Sequence, residues 1–258
     1  MPHPSTQTAK IDLHQDLILS FRHDTTSFFE YQDTYDDLLG TNAGNCTDYI
    51  TTGLNMIFGI IWPYHIGTHG TNGNINYDAS LISSSIQRYK DLQKHGDISL
   101  VRSNEDLEKQ DALRILLHIE WCDHCQHIDD IADLYNQGIR SIWFVRNFNN
   151  HLSQCNTSSW GLTRFGYEAI EYMNHHWMII DTAHMNHQAM METLATSQKP
   201  IINSHSNLQH FQKHPRNVYD KFIIQLANTW WVLWLSMCSD FISGEGNIAY
   251  IQQYIDQI

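Results

Sequence analysis

The chain has 258 residues, of which 42% are apolar and 17% charged, and carries a formal net charge of −13 with histidine counted neutral. The composition is globular rather than disordered, and so acidic a chain offers no electrostatic footprint for nucleic acid or an anionic membrane surface. Five scattered cysteines argue against a disulfide framework, no apolar run is long enough to span a bilayer, and the N-terminus lacks the apolar core of a signal peptide, so a cytoplasmic protein is expected.

In chain order, short runs rich in Ile, Val, Leu and Trp end in polar residues at 10–16, 55–64, 113–120, 139–147, 177–184, 200–205 and 230–236. Helix-like segments lie between them at 80–95, 128–137, 163–175, 186–196 and 218–227. Near-continuous apolar strands joined by helical crossovers predict a parallel sheet buried on both faces. So many βα units in one domain-sized chain favour a closed barrel over an open sheet, and a barrel of this kind typically takes about 250 residues. The expected fold is therefore α/β, a TIM (β/α)8 barrel forming a single domain over 1–258. Segment 21–52 is read as a long first loop with a helix, lying over the active-site face.

Active sites of such barrels sit at the carboxyl ends of the strands. There the sequence repeatedly places metal-binding residue types: Asp12-Leu-His14-Gln-Asp16, His118-Ile-Glu120, Asp181-Thr-Ala-His184 and Asn203-Ser-His205-Ser206. His14 and Asp16 are two apart on a strand and so project to one face. Imidazole with carboxylate suits zinc or a similar first-row metal, and the full set could hold two ions. Each residue alone also has an ordinary reading: His184 as a packed histidine, Glu120 as a surface carboxylate, His205 as a neighbour of a helix cap at Ser206. The coincidence of four strand ends carries the inference. Cys122-Asp-His124-Cys125-Gln-His127 has the look of a zinc knuckle, but it lacks a second half at the usual spacing and is read as the loop after the third strand.

Several motifs then occur in a familiar order: Ile11-Asp-Leu-His-Gln-Asp-Leu17, His118-Ile-Glu120, Gly161-Leu-Thr-Arg-Phe-Gly166, Met178-Ile-Ile-Asp-Thr-Ala-His184, Ser204-His-Ser-Asn207 and His214-Pro-Arg-Asn217. From about residue 10 to 258 the chain resembles the membrane (renal) dipeptidase family of zinc metallopeptidases. The resemblance implies a metal-dependent hydrolase that cleaves dipeptides through a hydroxide bridging two zinc ions, and that forms a homodimer. Carried over, His14 and Asp16 hold one zinc, Glu120 bridges the pair and serves catalysis, and His184 and His205 hold the second. Arg216 pairs with the substrate carboxylate, for which a guanidinium fork is well shaped. A catalytically degenerate, metal-binding barrel is the alternative reading.

The sequence departs from the family pattern in three ways. Val145-Arg146-Asn147 stands where many members have Thr-His-Asn, which puts Arg146 at a substrate-contacting position. The chain ends before the family's eighth strand with its Gly-Ser-Asp-Phe-Asp-Gly motif, so the expected barrel lacks that strand here; Cys238-Ser-Asp240 aligns instead with the loop after the seventh. Finally, Trp121, Trp143, Trp160, Trp177, Trp230, Trp231 and Trp234 stand where relatives have glycine. One hypothesis covers them all: the gene reads UGA as glycine, and the sequence renders it as tryptophan. Sequencing the gene is expected to show UGA at those codons; UGG would mean genuine divergence into a Trp-rich barrel.

Overall fold

Short β-branched runs become strands, and the capped amphipathic segments between them become helices. The computed structural model describes residues 10–15, 46–63, 77–94, 96, 98–109, 112–227, 232–236 and 238–242. The chain divides into two compact units, Met1–Tyr64 with Asp78–His118 and His65–Tyr77 with Ile119–Ile258.

In the first unit β1 (Ile11–Gln15) pairs in parallel with β2 (Met56–Ile61), Ile11 opposite Met56. Helix α1 (Cys46–Thr51) precedes β2. Every residue of β2 is buried, as a strand covered on both faces must be. Helix α2 (Ala79–Gln93) starts where the Asp78 carboxylate accepts the Ser80 amide at 2.8 Å, an N-cap that satisfies one of the helix's free donors. Its Tyr89 is fully buried and donates its hydroxyl to the Ile60 carbonyl at 3.1 Å. Strand β3 (Ile98–Val101) and the one-turn helix α3 (Asn104–Leu107) follow, and β3 pairs in parallel with β4 (Leu113–Glu120). Gly59 allows β2 its close approach: a Cβ there would lie 2.7 Å from both Ile115 and Tyr89.

In the second unit helix α4 (Ile128–Gln137), β5 (Ser141–Trp143), α5 (Arg164–His175), β6 (Ile179–Asp181), α6 (His187–Thr196), β7 (Ile201–Ser206), α7 (Asp220–Ala227) and β8 (Val232–Leu235) alternate in sequence. The four strands run parallel in that order, with Ser141 beside Ile179, Ile180 beside Ile201 and Ile202 beside Val232. Local chemistry sets the helix ends. Thr163 accepts the Gly166 amide at 3.0 Å, and Asn186 accepts the Ala189 amide at 2.8 Å. Gly138, left-handed at φ 106°, closes α4.

Each expected strand forms, though β5 and β6 keep only three residues apiece. The expected helices form within a residue or two of their ends. Strand β3 was not anticipated: four residues carry too little pattern to separate a strand from a turn. It lies beside β4, off the main succession of strands, and so does not stand in for the family's eighth. Of the long first loop only α1 and the few residues after it fall among the described residues; Asp16, Trp230 and Trp231 lie outside them.

Two of the tryptophans that the resemblance aligns with glycine adopt backbone that favours glycine: Trp121 has φ 73° and Trp177 φ 56°. Left-handed backbone costs an L-residue roughly 1–2 kcal/mol. Trp177 is 70% exposed, so its indole recovers little of this by burial. At an ordinary site glycine is less stable than alanine; here the order reverses. Trp177→Gly is expected to be about 1 kcal/mol more stable than Trp177→Ala in chemical denaturation, both variants having lost the same indole.

Candidate active site

The second unit gathers most of the expected residues at the ends of β4, β5, β6 and β7. His184 follows β6 and His205 lies within β7. Their Nε2 atoms face each other at 3.2 Å. Their outer nitrogens are held: His184 Nδ1 lies 3.2 Å from Asn147 Oδ1, and His205 Nδ1 lies 2.8 Å from the Ser204 hydroxyl. With Asn147 Oδ1 as the acceptor, His184 Nδ1–H donates to it, and in the neutral ring Nε2 then carries a lone pair. Ser204 can donate or accept. When it accepts, both Nε2 lone pairs point into one gap, which only a cation satisfies; when it donates, one N–H bridges the rings.

The spacing tests the fit. Two zinc–nitrogen bonds of about 2.0–2.1 Å at a tetrahedral angle hold their nitrogens about 3.3 Å apart. The observed 3.2 Å agrees. His184 also sits in left-handed backbone at φ 63°, a conformation that costs of order 1–3 kcal/mol and gathers at functional sites.

The strand ends are tied together by Asp181. This fully buried carboxylate accepts the Ala183 amide at 2.9 Å and the Ser204 amide at 3.1 Å, fixing the backbone that carries both histidines. Glu120, 3% exposed at the end of β4, forms an ion pair with Arg146, whose Nε lies 3.5 Å from its Oε1. Arg216 is 4% exposed and donates to the His205 carbonyl at 3.1 Å. Burial pulls its guanidinium down to about 9, against the opposing pull of the Asp181 and Glu120 carboxylates. Its second terminal nitrogen is buried and makes no hydrogen bond among the described residues. Trp143 packs its ring 4.1 Å from that of His184 and 4.8 Å from that of His205, filling the space beside the pair.

The first unit holds His14, half-buried in β1, and His118, fully buried in β4. Burial, and then the nearby His14, hold the His118 imidazole well below the ordinary histidine range. Asn147, Ser204, Asp181 and Trp143 are absent from the expected set. The first three lie inside or beside matched motifs, but partners distant in sequence define their roles.

Because His118 stays neutral when folded and takes up a proton near pH 6.5 when unfolded, stability falls as pH drops below 6.5. The slope is up to about 1.4 kcal/mol per pH unit. Denaturation of wild type and His118→Leu between pH 7.5 and 5 is expected to show that extra slope in wild type only.

A profile of the membrane dipeptidase family, peptidase family M19, matches residues 5–258. An uncharacterised dipeptidase of Schizosaccharomyces pombe is 30% identical over 123 residues, a stretch covering 45% of this chain and 30% of the yeast protein. Among solved structures, an M19 metallopeptidase called dipeptidase AC superposes with a TM-score of 0.79 at 14% identity, over 96% of this chain and 80% of its own. A metallopeptidase from Rhodobacter sphaeroides, liganded with a phosphinate mimic of the dipeptide L-Ala-D-Ala, gives 0.76 at 14% identity, over 96% and 81%. The fold is the parallel α/β, TIM-like barrel of these proteins. With a profile match over nearly its whole length and a fold to agree with it, the chain belongs to the membrane dipeptidase family of metallopeptidases.

Proposed function

We propose that the protein is a zinc-dependent dipeptidase, and the observation that carries this is the pair of Nε2 atoms 3.2 Å apart. His184 and His205 would hold a zinc ion between them; by the order of the matched motifs His14, Asp16 and Glu120 are the further residues that would serve as ligands. The chemistry that bound zinc would supply is Lewis acidity toward the scissile carbonyl and a water acidified to a pKa near 7. The protein's own residues do the rest. The buried, free nitrogen of Arg216 offers a bond to the substrate's terminal carboxylate, and an anion there offsets the cost of burying the guanidinium. Asp181 and Asn147 keep the imidazoles in place as charge develops. The Rhodobacter sphaeroides relative is liganded with a phosphinate mimic of L-Ala-D-Ala, which makes that dipeptide the natural first substrate, with L-Ala-L-Ala as its diastereomer for comparison.

One observation favours a second reading. The Arg146 guanidinium occupies the Glu120 carboxylate that the family uses as a bridge, so a barrel retaining one metal site without turnover is a coherent rival. Hydrolysis of L-Ala-L-Ala and L-Ala-D-Ala by the zinc-loaded chain separates the two. The proposal expects turnover that falls by about 10-fold to 100-fold or more in Glu120→Gln with the fold intact, as loss of a metal-supporting carboxylate would give. Bound zinc with no turnover in wild type, and a gain in metal affinity in Arg146→His, would establish the rival.

A further inference from the structure

We propose that Cys122, His124 and Cys125 form a separate metal site for a soft or borderline cation such as Zn²⁺, in the loop that leaves β4. The two sulfurs and one imidazole nitrogen all lie within 4.8 Å of one another. A turn closes the loop, the Cys125 amide donating to the Cys122 carbonyl at 3.0 Å, and so brings side chains three residues apart to one side. Both cysteines are fully buried and unoxidised.

His124 supplies the independent observation. Both its ring nitrogens are buried without an oxygen or nitrogen partner among the described residues, and the polar group the ring does meet is the Cys125 thiol. A buried donor or acceptor left so costs about 1–3 kcal/mol. Tyr77 stacks on the ring at 4.6 Å and 9°, which fixes its plane. The arrangement leaves one imidazole nitrogen within reach of two sulfurs, with no other partner to satisfy it.

The donor chemistry selects the ion. Two thiolates with an imidazole suit zinc, or copper in its lower oxidation state, and exclude magnesium and calcium, which take oxygen. Zinc bonds of about 2.3 Å to sulfur and about 2.0 Å to nitrogen set tetrahedral donors roughly 3.5–3.8 Å apart. The three groups therefore close by about 1 Å on binding, a rotamer adjustment, and water completes the fourth position. Binding releases the thiol protons to solvent. The site has sulfur where the His184/His205 pair has none, so the two are spectroscopically distinct.

Metal-free full chain titrated with Co²⁺ tests this. A near-ultraviolet thiolate-to-cobalt charge-transfer band is expected in wild type and in His184→Ala/His205→Ala. It should vanish in Cys122→Ser/Cys125→Ser, with the loss of one zinc equivalent per chain and the circular dichroism unchanged. If that double variant does not fold, His124→Asn serves instead: the band should shift and zinc affinity drop at least about tenfold. Cobalt bound without a charge-transfer band in wild type overturns the proposal, as does a band that survives the double serine change. So does a Cys122–Cys125 disulfide in freshly purified protein that takes up no zinc at the thiols after reduction. Loss of dipeptidase activity in His184→Ala/His205→Ala with the band retained bears on the other site alone.

Discussion

The facing rings of His184 and His205 constrain everything around them. At 3.2 Å their Nε2 atoms need a proton or a cation between them, and the backbone that carries them has been arranged to keep that separation. Asp181 ties the Ala183 and Ser204 amides to one carboxylate, so the ends of β6 and β7 cannot drift apart independently. Asn147 and Ser204 fix the outer nitrogens, and His184 holds its place in left-handed backbone. Strain of this size persists only when the surroundings over-determine it.

Charge balance follows from the same crowding. Glu120 and Asp181 are buried carboxylates; Arg216 is a buried guanidinium, and the largely covered Arg146 lies against Glu120. Stripping any one of its counter-charges leaves an unpaired buried ion, at a cost of about 3–5 kcal/mol. Adding divalent cations to a set already close to neutral calls for further anions. Asp16 by resemblance, and a substrate carboxylate against Arg216, would supply them. This is why Arg146 is informative: it adds positive charge at the carboxylate proposed to help hold the metal.

Much of this was legible in the sequence because local rules decided it. Thr163 and Asn186 cap the helices they precede, Gly138 ends α4, and the apolar runs became strands at the expected places. The pairing of His184 with His205 could be read from strand-end chemistry and motif order together. The roles of Asn147, Asp181 and Trp143 could not, because each depends on which strand ends become neighbours. The tryptophans show both sides. Trp121 and Trp177 take the positive φ that a glycine would explain, whereas Trp143 keeps ordinary backbone and makes itself felt by filling space against the imidazoles. The sequence around Cys122–Cys125 lacks the second half of a zinc knuckle, and only the folded turn brings its three donors into one cluster.

The most direct test of the account is the anomalous scattering of a crystal of the zinc-soaked chain, measured on either side of the zinc edge. The account predicts a peak lying within about 2.1 Å of both the His184 and His205 Nε2 atoms. An empty gap there at full zinc, with the rings still at hydrogen-bond distance and a proton between them, would contradict it.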